Sequence, residues 1–214
     1  MLSTVPARSS LGRRATRPWI AALALAGAAC IAVAAPTPAY AAGPIVEILN
    51  ESNTSLRLDV MWASADAGAG VFLWPGNAST SQEFELIDSG GGFFRIKARH
   101  SGQCLRPDWR DGAVTDGTPI IQWWTCSAGY SPAEWSSMYI YGPSSDLHPG
   151  GEGHMIIKNR ASGLCLDARN GSSNPPGQQA VVQMWDCVTS PGQWNAKNQM
   201  WVDVRASSVP EPPR

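Results

Sequence analysis

The chain has 214 residues, of which 16 are basic and 17 are acidic, so its formal net charge is −1 at neutral pH. Four of the arginines lie in residues 1–41, which contain no acidic residue, and the remaining 173 residues carry a formal net charge of −5. This balance argues against nucleic acid and anionic membranes as partners, because binding either requires clustered lysines and arginines. The length suits one domain with some insertions.

The first 41 residues have the pattern of a secretory signal peptide. Arginines precede an apolar run from Trp19 to Ala35, and the small-residue motif Ala39-Tyr40-Ala41 follows it. The apolar run is shorter than the roughly 20 residues that a membrane-spanning helix needs. We therefore expect cleavage after Ala41 and a secreted, extracellular protein.

Short strands separated by turns are predicted for the rest of the chain. Residues 93–97, 120–124 and 155–158 are examples of such strands. No segment shows a sustained apolar period of about 3.6 residues, which would indicate a helix. Glycine and proline interrupt the chain throughout, as is typical of all-β domains. Residues 142–153 are expected to form an exposed loop, and the Pro-rich residues 206–214 an extended tail.

Two parts of the chain share one pattern at an offset of 61 positions. The identical pairs are Ile157 with Ile96, Lys158 with Lys97, Arg160 with Arg99, Ser162 with Ser101, Gly163 with Gly102, Cys165 with Cys104, Gln183 with Gln122, Trp185 with Trp124 and Cys187 with Cys126. So many identities at one offset indicate an internal repeat.

A third, more eroded copy of the pattern begins near Ile45. In it Leu58-Asp59 corresponds to Leu166-Asp167, Trp74 to Trp185, and Gln82-Glu83-Phe84 to Gln199-Met200-Trp201. The chain therefore contains three related units, at about residues 44–88, 92–141 and 153–204. A repeat of this kind predicts a symmetric scaffold.

The third unit carries a Cys-Leu-Asp turn at residues 165–167, a Gln-x-Trp-x-Cys strand at residues 183–187 and a closing Gln-x-Trp at residues 199–201. These motifs resemble those of the ricin-type lectins. The resemblance covers residues 44–204. It implies an all-β fold, a β-trefoil of three related repeats, over residues 42–205.

Four cysteines follow residue 41, and four cysteines allow three pairings. The repeat selects Cys104 with Cys126 and Cys165 with Cys187, because equivalent residues of an exported protein should form equivalent local bridges. A zinc site is not expected, since no Cys-x-x-Cys motif or histidine pair accompanies these cysteines. We expect no metal and no cofactor.

The third repeat has the residue types that carbohydrate binding requires. A sugar presents an apolar face of ring C–H groups and a rim of hydroxyls, so its site needs a flat aromatic ring and several hydrogen-bonding groups. Trp185 can supply the ring, and Asp167 can supply a charged acceptor. The resemblance implies sugar contacts for Asp167, Gln183, Trp185, Asn198 and Gln199.

Some of these residues have a structural alternative. Trp185 would be buried if it belonged to the core, and Gln199 would act indirectly if it bonded to backbone and held Asp167 in place. We expect the Asp167 side chain to face solvent, so that alanine at this position would remove binding and leave folding intact. The core positions that close the repeats are expected to be Phe84, Trp135 and Trp201.

The other two repeats are weaker candidates. In the second repeat Arg106 replaces the aspartate and Pro132-Ala133 replaces Asn-Gln, so no binding by the family's mode is expected there. In the first repeat Phe72 replaces the strand glutamine and Ser81 replaces the asparagine. A possible weak second site remains in the first repeat, formed by Asp59, Trp74 and Gln82.

The sequence therefore predicts a lectin that binds carbohydrate without catalysis. Galactose-like sugars are what the resemblance suggests, and xylan-like polysaccharides would meet the same ring and carboxylate. An enzyme is not expected, since no metal-ligand spacing or phosphate-binding loop is present. The alternative is a trefoil that has lost sugar binding and acts as a protein-interaction or inhibitor module, which the erosion of two repeats favours.

Overall fold

The computed structural model describes residues 42–141, 153–170, 176–188 and 197–206. The predicted signal peptide falls on residues outside these ranges, as do most of the predicted loop and nearly all of the predicted tail. Within the described ranges no helix has the length and apolar character needed to cross a membrane.

The described residues form twelve β-strands, consistent with the predicted all-β class. The strands are β1 (Ile45–Asn50), β2 (Asn53–Val60), β3 (Val71–Pro75), β4 (Phe84–Gly90), β5 (Phe93–Ala98), β6 (Cys104–Pro107), β7 (Ile120–Trp123), β8 (Glu134–Tyr141), β9 (Gly153–Asn159), β10 (Cys165–Ala168), β11 (Val182–Trp185) and β12 (Trp201–Arg205). Short 3-10 helices occur at Met61–Ala63, Thr80–Gln82, Ser131–Ala133 and Lys197–Gln199.

Six of the strands close into a ring. β1 pairs with β12 and β4, β5 pairs with β4 and β8, and β9 pairs with β8 and β12, all antiparallel. The other six form three hairpins, β2–β3, β6–β7 and β10–β11. One hairpin and two ring strands per repeat give the threefold plan of a β-trefoil, as the sequence predicts.

Large side chains fill the ring at equivalent places in the three repeats. Phe84, Trp135 and Trp201 are at most 1% exposed. The Trp135 indole N–H donates to the Leu105 carbonyl at 3.1 Å, and the Trp201 indole N–H donates to the Leu166 carbonyl at 3.1 Å. A buried indole needs such a partner. The predicted core role of these three residues is therefore confirmed.

Both predicted disulfides are present. Cys104 is bonded to Cys126 and Cys165 to Cys187, and each bond spans 22 positions within its own repeat. The first cysteine of each pair begins the first strand of a hairpin, so the bridge ties the hairpin to the chain that follows it.

The strand register corrects one part of the repeat alignment. Trp185 lies opposite Cys165, whereas the residue opposite Cys104 is Trp123 and not Trp124. Two residues separate Trp123 from Cys126, whereas one residue separates Trp185 from Cys187. A shift of one position turns a side chain to the other face of a strand. Gln122 is accordingly fully buried and donates to the backbone carbonyls of a neighbouring loop instead of lining a pocket.

Candidate functional site

The five predicted site residues of the third repeat line one open pocket of about 610 Å³. β10 supplies Asp167, β11 supplies Gln183 and Trp185, and the 3-10 helix Lys197–Gln199 supplies the remaining two. Asp167 and Gln183 are directly opposite each other in the β10–β11 hairpin, so their side chains share a face. Trp185 lies two residues further along β11 and therefore on that face as well.

The Asp167 carboxylate accepts hydrogen bonds from three amide side chains. Gln183 Nε2 donates to Oδ1 at 2.9 Å, Asn198 Nδ2 to Oδ2 at 2.5 Å, and Gln199 Nε2 to Oδ2 at 3.2 Å. Asp167 is only 2% exposed, so the expectation that its side chain faces solvent is wrong. The physical reason is that amides from β11 and from the 3-10 helix converge on the carboxylate and cover it.

Burial raises the pKa of Asp167 above the ordinary aspartate value, because a desolvated carboxylate is less stable when it is charged. Hydrogen bonds from Gln183 and Gln199 act in the opposite direction, and the negative charge of Asp116 adds to the rise. The Asp167 carboxylate therefore takes up a proton at a higher pH than an exposed aspartate does.

Gln199 bonds mainly to backbone. Its Nε2 donates to the Asp186 carbonyl at 2.9 Å, and its Oε1 accepts from the Val188 amide at 2.9 Å. The third hydrogen bond of Gln199 runs from Nε2 to the Asp167 carboxylate. These contacts favour a role for Gln199 in positioning Asp167 over direct contact with a ligand. Asn50 supports the same region, because its Nδ2 donates to the carbonyls of Lys197 and Asn198, both at 3.3 Å.

The Trp185 ring belongs to the surface. Trp185 is 43% exposed and lines the pocket, so the core alternative does not apply to it. A half-exposed ring beside a carboxylate and several amides leaves a flat apolar face next to hydrogen-bonding groups. This is the combination that a sugar ring requires.

Three further residues help to form this pocket and were not expected from the sequence. Arg169 Nε donates to Gln183 Oε1 at 2.8 Å and so orients the amide that bonds to Asp167. The loop between β6 and β7 contributes Gly117, and Asp116 accepts a hydrogen bond from the Asp186 amide at 2.8 Å. These residues lie outside the repeated motifs, and two of them come from another repeat, so no local pattern marks them.

The first repeat forms a smaller pocket, of about 200 Å³, which contains two of its three predicted residues, Asp59 and Trp74. The third, Gln82, is fully buried and donates to Asp59 Oδ2 at 2.8 Å and to the Pro75 carbonyl at 3.0 Å. It also accepts from the Asn77 amide at 3.0 Å. These contacts match those of Gln199 in the third repeat. Gln82 therefore holds the Asp59 carboxylate as Gln199 holds that of Asp167.

The second repeat has a different arrangement. The Arg106 guanidinium lies 4.4 Å from the centre of the Trp123 ring and so covers one face of the residue that is equivalent to Trp185. Pro132 and Ala133 are buried and supply no amide side chain. The described residues also include no group of three or more His, Cys, Asp or Glu side chains that could hold a metal ion.

Known proteins share this fold. Residues 39–123 match the family model described as ricin-type beta-trefoil lectin domain-like. No curated protein matches the chain. Among solved structures, the designed threefold symmetric protein ThreeFoil is 24% identical with a TM-score of 0.58, over 75% of this chain and 97% of that one.

Two natural proteins are also similar in structure. An exo-β-1,3-galactanase from Clostridium thermocellum is 26% identical with a TM-score of 0.57, and the match covers 76% of this chain and 30% of the enzyme. A ricin B-like lectin from Macrolepiota procera, solved in complex with lactose, is 16% identical with a TM-score of 0.55, over 77% of this chain and 97% of the lectin. The β-trefoil fold and the resemblance predicted from the sequence are confirmed.

Proposed function

Because the chain resembles the ricin-type β-trefoil lectins, we propose that it is a secreted lectin whose third repeat binds carbohydrate. The observation that carries this proposal is a pocket in which the half-exposed Trp185 ring stands beside the Asp167 carboxylate and its amide partners. Export is inferred from the signal-peptide pattern of residues 1–41 and from the two disulfides, which suit an oxidising compartment.

The pocket offers two kinds of interaction to a sugar. The Trp185 ring supplies an apolar surface for the C–H face. Asp167 is the strongest acceptor for the rim hydroxyls, since a hydrogen bond to a charged group contributes about 1.5–3 kcal/mol. Its amide partners fix the direction of the carboxylate before the ligand arrives, which reduces the cost of ordering it on binding.

Galactose-like sugars are the proposed ligands, with xylan-like polysaccharides as the other class that fits a ring and a carboxylate. The lactose complex of the similar Macrolepiota procera lectin supports the first class. We propose binding without catalysis, because Asp167 is already bonded to three amides in the manner of a fixed acceptor. The open pocket predicts weak binding by a single site, with useful affinity arising from multivalent contact.

Replacement of Trp185 by alanine tests the proposal with little risk to the fold, because this side chain is 43% exposed. Loss of the ring is expected to remove binding to the galactosides of a glycan array, while the melting temperature stays unchanged. Trp124→Ala is the matched control, since Trp124 is 68% exposed and lies in the second repeat.

Binding that survives in the Trp185→Ala variant at full strength would contradict the third-repeat site. No binding by the folded wild-type protein would instead favour the protein-interaction or inhibitor role.

Acid is expected to weaken binding. A neutral sugar needs the charged carboxylate as acceptor, and protonation of Asp167 leaves a weaker one. Affinity for lactose should therefore be constant near neutral pH and fall by roughly tenfold as the pH drops through the Asp167 pKa, which lies above the ordinary value of 3.8. Calorimetric titration at a series of pH values measures this, with near-UV circular dichroism to verify the fold. An affinity that rises or stays level on acidification would contradict the role of the carboxylate.

A further inference from the structure

A further cavity lies inside the strand ring, and it is separate from the three hairpins. Its volume is about 370 Å³. Each of the six ring strands lines it, with Ile48 from β1, Leu86 from β4, Phe94 from β5, Ser137 from β8, Ile157 from β9 and Asp203 from β12. None of its described lining residues belongs to a hairpin strand, so no motif of the repeats marks this cavity.

The cavity exists because one layer of the ring interior is poorly filled. Side chains two positions apart on a strand point to the same face. The positions two residues after the closing aromatic residues are Leu86, Ser137 and Asp203, so these three side chains form the next layer of the ring. A leucine, a serine and an aspartate fill far less apolar volume than a phenylalanine and two tryptophans. The space that they leave is the cavity.

The inner walls of the cavity are apolar. Ile48 and Ile157 are each 1% exposed, and Leu86, Phe94 and Met155 pack against the main core. A cavity of this size falls within the range of about 300–1,000 Å³ that is typical of small-molecule sites. Water finds few hydrogen-bonding partners against such walls, so an apolar group that displaces it is stabilised.

The exposed part of the lining carries two carboxylates, Asp88 and Asp203. Asp88 Oδ1 accepts from the Gly90 amide at 2.9 Å, and no described residue donates to the Asp203 carboxylate. Tyr139, which is 54% exposed, adds an aromatic ring beside them. A positive charge is attracted both to carboxylates and to the face of an aromatic ring. This part of the cavity therefore suits a cation.

Two arginines that flank the cavity have other partners. Arg95 donates to Ser89 Oγ at 2.9 Å, and Arg160 donates to Glu134 at 2.6 Å. Among the side chains that the structure describes, neither cavity carboxylate has an ion-pair partner. The negative charge of the lining is therefore left for a ligand.

We propose that the ring cavity binds a small amphiphilic cation, a molecule with one ammonium group and an apolar chain or ring. The apolar part lies among Ile48, Phe94 and Ile157, and the ammonium group lies beside Asp88 and Asp203. Anions of the same size, such as fatty acids, are disfavoured by these carboxylates and by the net charge of −5 that residues 42–214 carry. The site is distinct from the proposed sugar pocket and does not depend on it.

Three probes with the same alkyl chain, octylammonium, octanol and octanoate, test the preference for a cation. In calorimetric titrations the wild-type protein is expected to bind octylammonium most tightly, octanol more weakly, and octanoate about tenfold more weakly than octylammonium. Asp203→Asn should weaken octylammonium binding by about threefold, the effect of one exposed charge pair, and leave octanol binding unchanged. Asp111→Asn is the matched control, because it removes an exposed negative charge from the loop between β6 and β7 and should match wild type.

A second pair of variants tests the location. Ser136 and Ser137 are neighbours on β8, and of the two only Ser137 lines the cavity. Ser137→Trp places a large ring in the cavity and is expected to weaken the binding of octylammonium and octanol by about tenfold. Ser136→Trp places the same ring on the opposite face of the strand and should bind both probes as wild type does. The melting temperature verifies that both variants are folded.

Each part of the proposal has an outcome that would overturn it. Octanoate binding as tight as that of octylammonium would rule out a cation as the preferred ligand. An octylammonium affinity that is the same in Ser137→Trp as in the wild-type protein would mean attraction to the acidic surface elsewhere, and the cavity would not be the site. Absence of octylammonium binding by the wild-type protein would overturn the proposal as a whole.

Discussion

Replacing Asp167 with alanine is expected to abolish galactoside binding and also to lower the free energy of unfolding by about 1–3 kcal/mol. Three amide groups donate to this carboxylate in the folded protein, and the residues that carry them are at most 9% exposed. Without an acceptor these donors lose their partner in a place that water reaches poorly. Both effects are measured on one sample, by calorimetric titration with lactose and by urea unfolding.

Asp167→Asn is the control that separates the two effects. It keeps the shape and one acceptor oxygen and removes a charge whose burial is unfavourable, as the raised pKa of Asp167 shows. The new amide nitrogen would face at least one of the three donor amides, so we expect a loss of stability that is smaller than in the alanine variant. Sugar binding should still be at least tenfold weaker, because a charged acceptor is lost. Wild-type affinity in the asparagine variant would contradict the assignment of Asp167 as the ligand acceptor.

Trp201→Ala is expected to have the larger effect on stability, a loss of about 3–5 kcal/mol. Trp201 is 1% exposed, and its removal leaves a large cavity in the ring and an unpaired Leu166 carbonyl. Leu166 precedes Asp167 on β10, so the third-repeat pocket should lose its geometry together with the core. Urea unfolding followed by tryptophan fluorescence and circular dichroism measures the change.

Trp201→Phe provides a graded comparison, because the first repeat already has Phe84 at the equivalent position. This variant retains most of the apolar volume and loses the hydrogen bond, so we expect a smaller loss, about 1–2 kcal/mol. A loss below 1 kcal/mol in the alanine variant would mean that the three closing positions do not form the main core.

The fold was predictable because each repeat carries a copy of the pattern, and the disulfide pairing was predictable because the second and third repeats each carry two cysteines. The cysteines and the closing aromatic residues depend on local spacing, and the structure places them as the spacing predicts. The five residues of the third-repeat pocket were also predictable as a set, since the resemblance is densest there.

Other features depended on contacts that the repeats do not encode. The burial of Asp167 arises from amides that arrive from two segments, and a motif does not reveal how closely they converge. The extra residue after Trp123 moved Gln122 to the core face, which an alignment at one fixed offset misses. Asp116 and Gly117 lie in a loop without repeated motifs, so they became visible only with the pocket that they support or line.

The pairing of β1 with β12 ties the two ends of the ring together across most of the chain. When only the first two repeats have folded, β9 and β12 are missing from the ring, so β1 and β8 have unpaired backbone groups. Such strand edges associate with other chains. Contacts between distant parts of a sequence also form slowly. The Asn50 contacts with Lys197 and Asn198 form in that same late step, at the end of β1. Closing the ring and completing the third-repeat pocket therefore depend on the same contacts, so a folding intermediate with an open ring would lack the proposed sugar site.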